Sequence, residues 1–528
     1  MKILTAAQVQ RIDRLTTERY GVPSLSLMEN AGRRALEFVR ERFAPLAEHR
    51  IAILCGRGNN GGDGLVAARL MRSEGLIPRV VLLSSLEASK GDAAVNLKRL
   101  AESGAPEVAE NLEAWRSVLP TLTDTTLLID AVLGTGLSKP LEGFLLEVVR
   151  DINRDFPTAR IVSIDLPSGV SADTGDLIGE CVHADATVTF TAPKLAHVFP
   201  PACEFAGEWA MKQIGTPLEA LEQDPELRLN LTCRDDMVWV AQRRSRTAHK
   251  GTYGHVLVLA GSLGKTGSAA LAAKAALRAG AGLVTVATPE RAMPVVASLG
   301  MEYMTEPLPE TASGTIALRA LDDGRLDKLV EGKSVLAIGP GLGNLDETTE
   351  LVRAIVNRYD VPVVLDADGL NAFAGRMTSL GTDTGIRVLT PHPGELARLT
   401  GLSTSEIQAR RIEVARDFAM RHRLHLVLKG FRSLVAAPDG QVWVNPTGNP
   451  GMATGGTGDV LTGVTAGLLA QFLARPVDRT VAAAVYLHGL AGDIAAADRG
   501  EMSMVAGDLL EALPRAFQAL RDGADHHP

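Results

Sequence analysis

The densest early gathering of reactive side chains in the 528-residue sequence is GRGNNGGDG, Gly56 to Gly64, where Asn59, Asn60 and Asp63 stand among glycines. Gly56, Gly58 and Gly61 have the spacing G-x-G-x-x-G. Such glycines let the backbone approach a phosphate at a helix N-terminus, where free N–H groups and the helix dipole draw negative charge. A dinucleotide fingerprint also needs an acid at the end of the second strand to hold a ribose. Here that strand ends LLSS, Leu82 to Ser85, so the fingerprint is incomplete. The side chains add a different chemistry: an amide donates and accepts, and its carbonyl oxygen ligates a hard cation. Asp130 in LLIDAVLGTG and Asp165 in SIDLPSG end two further apolar runs, where an open α/β sheet binds ligands. One strand-end Asp caps the next helix or turn as often as it serves a site. Three such loops together favour a site.

A second gathering is NPTGNPGMATGGTGDVLTG, Asn445 to Gly463. Gly455, Gly456 and Gly458 precede Asp459 and an apolar helix, so unpaired N–H groups converge on an anion beside one carboxylate. That arrangement suits phosphoryl transfer, in which donors stabilise the moving group and a base takes the attacking hydroxyl's proton. An ordinary N-cap is the bland alternative, but so many glycines cost too much backbone entropy for a mere turn. GSLGKTGS, Gly261 to Ser268, looks like a phosphate loop yet fails the Walker spacing, because position 259 is Leu.

The elements that must position these residues form two series of short apolar runs, each run ending in Gly, Asp or Asn and followed by a helical segment. That is the pattern of a parallel sheet with crossover helices. The first series is IAILCG, RVVLLS, LLIDAVLG, ARIVSIDLPSG and ATVTFTAPK, after two opening helices. The second is HVLVLAG, GLVTVAT, SVLAIGPGLG, PVVLDADGLN, RVLTPHPGE and LVLKG, closed by a helical tail from about Asp459 to Leu520. Between them TPLEALEQDPELRLNLTCRDD is polar and reads as strandless, placing domains at 1–215 and 236–528 with a linker over 216–235. The two series share no motif, so an internal repeat is not expected.

Composition narrows the function. With 54 basic and 62 acidic residues the chain carries −8, and aromatics are only 4%, so neither a phosphate backbone nor base stacking is served and nucleic acid is not an expected partner. Four cysteines at irregular spacings, with no C-x-x-C, indicate neither zinc nor disulfides. The N-terminus lacks a signal-peptide h-region and no long uncharged apolar stretch follows. A soluble cytoplasmic protein without a membrane partner is expected.

With LMENAG (Leu27 to Gly32), the loops NNGGDG, DAVLGTGLSKP and DLPSG resemble the epimerase of hydrated NADH and NADPH, over roughly Met1 to Ile214. The resemblance implies that Asn59, Asn60, Gly61, Gly62 and Asp63, with Gly134, Thr135, Gly136, Leu137, Ser138, Lys139 and Pro140, hold the hydrate. It implies proton transfer at Asp165, and a potassium ion at Asn60, Asp130 and Ser168. Amide, carboxylate and hydroxyl oxygens suit such a hard cation. From Arg234 to Leu520, GSLGKTGSAALAAKAALRAGAGLVTV, AIGPGLG, LDADGLN, LTPHPGE, VLKG and the GTGD turn are similar to the ADP- or ATP-dependent dehydratase of the same hydrates, a ribokinase-like family. That likeness implies hydrate contacts at Ala269, Gly341, His392 and Asp459, and nucleotide contacts at Lys429, Gly430, Phe431, Arg432, Ser433 and Gly458, with Asp459 as base and magnesium accompanying the nucleotide. The implied fold is α/β, two three-layer αβα domains, Rossmann-like then ribokinase-like. Both likenesses converge on one substrate. A ribokinase-like kinase of a small vitamin precursor, with a passenger or scaffold N-terminal domain, is the rival reading; it leaves NNGGDG and SIDLPSG without a role. ADP against ATP preference and oligomeric state, a homo-oligomer included, stay open.

Overall fold

The computed structural model describes residues 1–322, 324–380 and 385–523; the last residues of the expected second domain, 524–528, lie outside them. The chain divides into two compact units, Met1–Leu227 and Arg228–Pro528.

In the first unit seven parallel strands, β1 (Ile51–Cys55), β2 (Arg79–Leu82), β3 (Glu107–Val108), β4 (Leu127–Ala131), β5 (Arg160–Ile164), β6 (Ala186–Phe190) and β7 (Glu208–Lys212), lie in the order β3-β2-β1-β4-β5-β6-β7. Alternate residues of β1 feed two cores. Ile51, Ile53 and Cys55 pack with the helices Ser24–Phe43 and Asn59–Ser73, while Ala52 and Leu54 pack with Trp115 and the helix Gly143–Asp155. Helices thus cover both faces, and the inner strands are largely apolar, as a doubly covered parallel sheet requires. The strand order reverses between β1 and β4, which opens a crevice at their carboxyl ends.

The second unit holds ten strands in one sheet: β8 (Leu229–Leu231), β9 (His255–Leu259), β10 (Leu283–Pro289), β11 (Met304–Leu308), β12 (Val335–Ile338), β13 (Val363–Leu365), β14 (Arg387–Leu389), β15 (His425–Leu428), β16 (Leu434–Ala436) and β17 (Val442–Val444). Their order is β11-β10-β9-β12-β13-β14-β15-β16-β17-β8. The sheet is mostly parallel, as expected, but β16 runs antiparallel to β15 and β17, and a tight turn through Asp439-Gly440 joins β16 to β17. Val256, Val258 and Ala260 face one core with the alanine-rich helix Thr266–Arg278 and the helices Thr457–Phe472, Val477–Arg499 and Ala506–Asp522. Small side chains let the first two of these helices approach closely: a Cβ on Gly463 would stand 2.1 Å from the carbonyl of Ala272. Val477–Arg499 is long and apolar enough to cross a membrane, but 78% of its apolar window is buried within the unit.

The expected strandless linker over 216–235 is also corrected. Leu221 and Leu227 are buried against Leu4, Val9 and Ile12 of the first unit, and β8 pairs in parallel with β17 of the second. Glu208–Lys212, the short Glu107–Val108, and Met304–Leu308 were not expected as strands; all lie at sheet edges, where one-sided pairing tolerates polar residues.

Candidate active sites

In the first unit the crevice is a cleft of about 1080 Å³. The loop after β1 enters it as a helix start, and its glycines are set by close packing. A Cβ on Gly61 would lie 1.8 Å from the carbonyl oxygen of Gly56, and one on Gly56 would lie 2.0 Å from that of Val132. Asn59, Asn60 and Asp63 line the cleft, with Gly61 and Gly62 buried behind them. Both side-chain polar atoms of Asn60 are buried without a hydrogen-bond partner among the described residues, a costly state for an amide unless a ligand meets it.

Asp165 follows β5 with φ +66°, the left-handed region that a non-glycine residue occupies only when its surroundings hold it there. The holding groups are plain. The backbone N–H of Lys194 donates to His197 Nδ1 (3.0 Å), so the ring's proton is on Nε2, which donates to the carbonyl of Asp165 (2.9 Å). Burial pushes the His197 imidazole down to about 3, consistent with this neutral ring. Lys194 Nζ, itself buried, donates to Asp165 Oδ1 (2.6 Å) and Thr189 Oγ1 (2.7 Å). Thr189 Oγ1 and the Thr135 N–H also donate to the carboxylate. Burial alone would raise the Asp165 carboxyl, but the charge and hydrogen bond of Lys194 outweigh it and hold the group below its ordinary range. Asp63 moves the other way: burial, then Asp165 and Asp13, push it well above a usual carboxylate.

Asp130, near the carboxyl end of β4, is wholly buried. Its carboxylate accepts from Ser163 Oγ (2.9 Å), Ser168 N (2.8 Å), Ser168 Oγ (2.5 Å) and Val132 N (3.2 Å). Burial raises its pKa against these bonds, and among the described residues no cationic side chain pairs with it. Gly134, Thr135 and Gly136 line the cleft, whereas Ser138, Lys139 and Pro140 stand exposed beyond the lining residues and Leu137 is half-buried.

In the second unit Asp459 lies in the first turn of Thr457–Phe472. Gly456 precedes that helix at φ +93°, which suits glycine alone, and turns the chain so that the helix start faces the strand ends. Burial pushes the Asp459 carboxyl up to about 6, against a hydrogen bond from Ser268, with Asp366 and Lys429 acting in opposite senses. Lys429, just past β15, donates to Asp366 Oδ1 (2.8 Å) and lies 3.8 Å from Glu395 Oε2. Burial disfavours its charge, yet Asp366 and Glu395 more than compensate and raise the ammonium pKa. Thr462 Oγ1 donates to the other oxygen of Asp366 (2.8 Å), and a Cβ on Gly458 would stand 3.3 Å from Lys429 Nζ. On the flank, Lys265 of the GSLGKTGS loop pairs with Asp368 Oδ2 (3.3 Å), which also accepts from Gly343 N (2.8 Å). Between the two acids Ala367 is held at φ +49°.

Profile comparison matches residues 256–515 to NAD(P)H-hydrate dehydratase and residues 24–196 to the YjeF-related protein N-terminus. The chain is 44% identical to the bifunctional NAD(P)H-hydrate repair enzyme Nnr of Moorella thermoacetica, over 99% of this chain and 98% of that one. The chain belongs to the family of bifunctional NAD(P)H-hydrate repair enzymes. The Escherichia coli member is 34% identical over 97% of this chain and 93% of its own. A solved ADP/ATP-dependent NAD(P)H-hydrate dehydratase from Bacillus subtilis, co-crystallised with ATP and Mg2+, is 34% identical, spanning 55% of this chain and 98% of that one with a TM-score of 0.49.

The epimerase half therefore gathers Asn60, Asp63, Gly134, Thr135, Gly136 and Asp165 about one cleft, and the dehydratase half gathers Asp459, Gly458 and Lys429 about Asp366. Other residues stand differently. Ala269 has no exposed surface, its methyl packed beneath Gly261, so it shapes a wall. Gly341, at φ +68°, lies against Lys265 and Ser268. His392 caps the helix Pro393–Thr400: Nδ1 accepts from Gly394 N (3.0 Å), while Nε2 faces outward 3.5 Å from Glu395 Oε1. Glu395 thus links His392 to Lys429. Gly430 and Ser433 close a tight turn through Ser433 Oγ and the Gly430 carbonyl (3.0 Å). Phe431 is 53% exposed with the Arg432 guanidinium 5.0 Å from its ring centre.

Sequence reasoning missed Lys194, His197, Thr189 and Asp13 in the epimerase half and Asp366, Asp368, Glu395 and Thr462 in the dehydratase half. Asp366 was legible as a strand-end acid in LDADGLN, by the same rule that selected Asp130 and Asp165. Lys194 carried no such signal, since only the fold carries the segment after β6 back beneath Asp165.

Proposed function

We propose that both units act on the same damaged cofactor, NADH or NADPH hydrated at the ring carbon beside the nitrogen. The epimerase half interconverts the R and S hydrates, and the dehydratase half returns the S hydrate to NAD(P)H at the expense of ADP or ATP. The observation that carries this reading is the matched pair of poised carboxylates. Asp165 is held ionised by Lys194 in a cleft lined by unpartnered Asn60, and Asp459 is raised to about 6 at a glycine-rich helix start beside Lys429.

Hydroxide is a poor leaving group, so dehydration needs it converted. Asp459, ionised above about pH 6, takes the ring hydroxyl's proton as that oxygen attacks the nucleotide's terminal phosphorus. The bond to the nucleotide breaks, and the ring carbon carries a phosphate. Phosphate then leaves with the C–O electron pair, the neighbouring carbon loses a proton, and the ring double bond returns. Backbone N–H groups around Gly458 and the Lys429 ammonium neutralise charge on the moving phosphoryl group. Asp366 fixes Lys429 by a direct ion pair. The exposed ring of Phe431 offers a face for the purine, and the turn through Ser433 shapes its edge. Magnesium accompanying the nucleotide would screen phosphate charge; both oxygens of Asp366 are taken by Lys429 and Thr462, so Asp368 on the flank is the carboxylate that would offer it an oxygen.

In the epimerase half, Asp165 handles the proton as the hydroxyl leaves and returns. A potassium ion fits Asn60 Oδ1 and Asp130, with Ser168 alongside: the amide oxygen is orphaned and the buried carboxylate has no cationic partner among the described residues. Such an ion would supply fixed positive charge beside the cofactor's phosphates. Four free cysteines suit a reducing cytoplasm.

The test is to incubate an R and S mixture of hydrated NADH with the protein and ADP or ATP while following absorbance of the reduced ring. Both epimers should be recovered. Recovery of the S fraction alone would overturn the epimerase half of the reading, and no recovery would overturn both.

A further inference from the structure

Inverting a hydroxyl-bearing ring carbon asks for more than one proton-handling group. The R and S hydroxyls depart from and return to opposite faces of a planar cation stabilised by the ring nitrogen. By microscopic reversibility, the acid that helps one leave needs a counterpart where the other forms. Asp165 supplies one such group.

Among the described residues lining the cleft, Arg14, Glu18, Arg57 and Glu110 are exposed, and Asp92 is half-buried with no side-chain oxygen that is both buried and unpartnered. Lys194 is committed to Asp165. Asp63 and Asp13 remain. Burial, then Asp165 and Asp13, push Asp63 well above the usual carboxylate range, and among the described residues it has no oxygen that is buried without a partner. Asp13 differs. It projects from the helix Ala6–Glu18, whose Val9, Ile12 and Thr16 are buried, and it lines the cleft on a different element from Asp165. Its Oδ1 is buried and has no hydrogen-bond partner among the described residues, the condition of an oxygen that awaits a ligand. The groups facing it are Lys194 after β6, Asp165 after β5 and Asp63 in Asn59–Ser73. Burial pushes its carboxyl up to about 6, Lys194 pulling down and Asp165 pushing further up, so both protonation states are accessible near neutrality.

We infer that Asp13 is a second catalytic residue of the epimerase half, acid and base for one face of the hydrated ring while Asp165 serves the other. This rests on the epimerase reading above. In one direction the hydroxyl C–O bond breaks with its electron pair going to oxygen, the Asp13 proton moves onto that oxygen, and water leaves. The ring nitrogen's lone pair forms a C=N bond. Water then adds to the opposite face, the C=N pair returns to nitrogen, and the water's proton passes to the Asp165 carboxylate. Exchange with solvent restores the proton to Asp13.

The test uses the full chain without nucleotide, given the R hydrate of NADH alone, with the S hydrate resolved by chromatography. Asp13→Asn should lower the rate at least about 100-fold while melting near the wild-type temperature, and Asp13→Glu should regain activity to within about tenfold. The wild-type rate should decline as pH rises past about 6, a limb that a merely structural Asp13 would not produce. A rate for Asp13→Asn within about threefold of wild type would overturn the inference. So would a loss matched by lowered melting that Asp13→Glu does not repair. Absence of conversion by the wild type would instead overturn the epimerase reading itself.

Discussion

Lys194 Nζ stands 2.6 Å from Asp165 Oδ1 with only 1% of the lysine side chain exposed, so the carboxylate proposed for proton transfer in the first unit is one half of a buried ion pair. Removing one partner of such a pair strands the other's charge. Lys194→Met should therefore cost about 3 kcal/mol in urea unfolding and raise the pKa of Asp165. The depressed carboxyl contributes stability that is complete above its unfolded value of 3.8 and is lost as pH falls below it. The gap between wild type and Lys194→Met should close in acid. A gap that persists unchanged at pH 3 would show that packing, not charge, is responsible.

Asp165→Asn should lower epimerisation by about 100-fold or more while nucleotide-dependent dehydration of the S hydrate persists. Loss of both activities together would mean that the two halves are coupled or that the fold was damaged.

Asp459→Asn should abolish dehydration to within about 1/1000 of wild type. Because burial raises the Asp459 pKa to about 6, the wild-type rate should climb as pH rises through that value and level off above it. The same substitution removes a partly buried charge, so the melting temperature should rise slightly, by on the order of 1 kcal/mol of added stability. Near-wild-type turnover would exclude Asp459 as the base.

Asp366→Asn should raise the KM for nucleotide roughly tenfold, since it frees Lys429 from its ion pair and breaks the Thr462 hydrogen bond. Steady-state kinetics with S hydrate at saturation would separate this from an effect on kcat. An unchanged KM would place Lys429 outside the nucleotide site.

Exchange of potassium for a bulky organic cation should slow epimerisation in wild type and have less effect in Asn60→Ala, whose orphaned amide oxygen is gone. Equal sensitivity in both proteins would count against Asn60 as a ligand.

Much of this molecule was legible before its structure. Short apolar runs gave eleven of the strands, because a strand covered on both faces is apolar throughout and a glycine or acid marks its end. The same rule selected Asn60, Asp130, Asp165 and Asp459 as candidates, since ligands meet an α/β sheet at strand ends and helix starts. Edge strands escaped it because half their surface faces water, and the Leu434–Val444 hairpin was missed although its PDG turn was readable.

The primary sequence determined which reactive groups exist and which loop each occupies, because those follow from local pattern and glycine spacing. Tertiary structure alone decided their partners and hence their protonation. Lys194 follows Asp165 by 29 positions, and Lys429 follows Asp366 by 63. Nothing local links them. Only the folded sheet brings Lys194 to Asp165 and Lys429 to Asp366, and these opposite charges lower the Asp165 carboxyl and raise the Lys429 ammonium against the effect of burial.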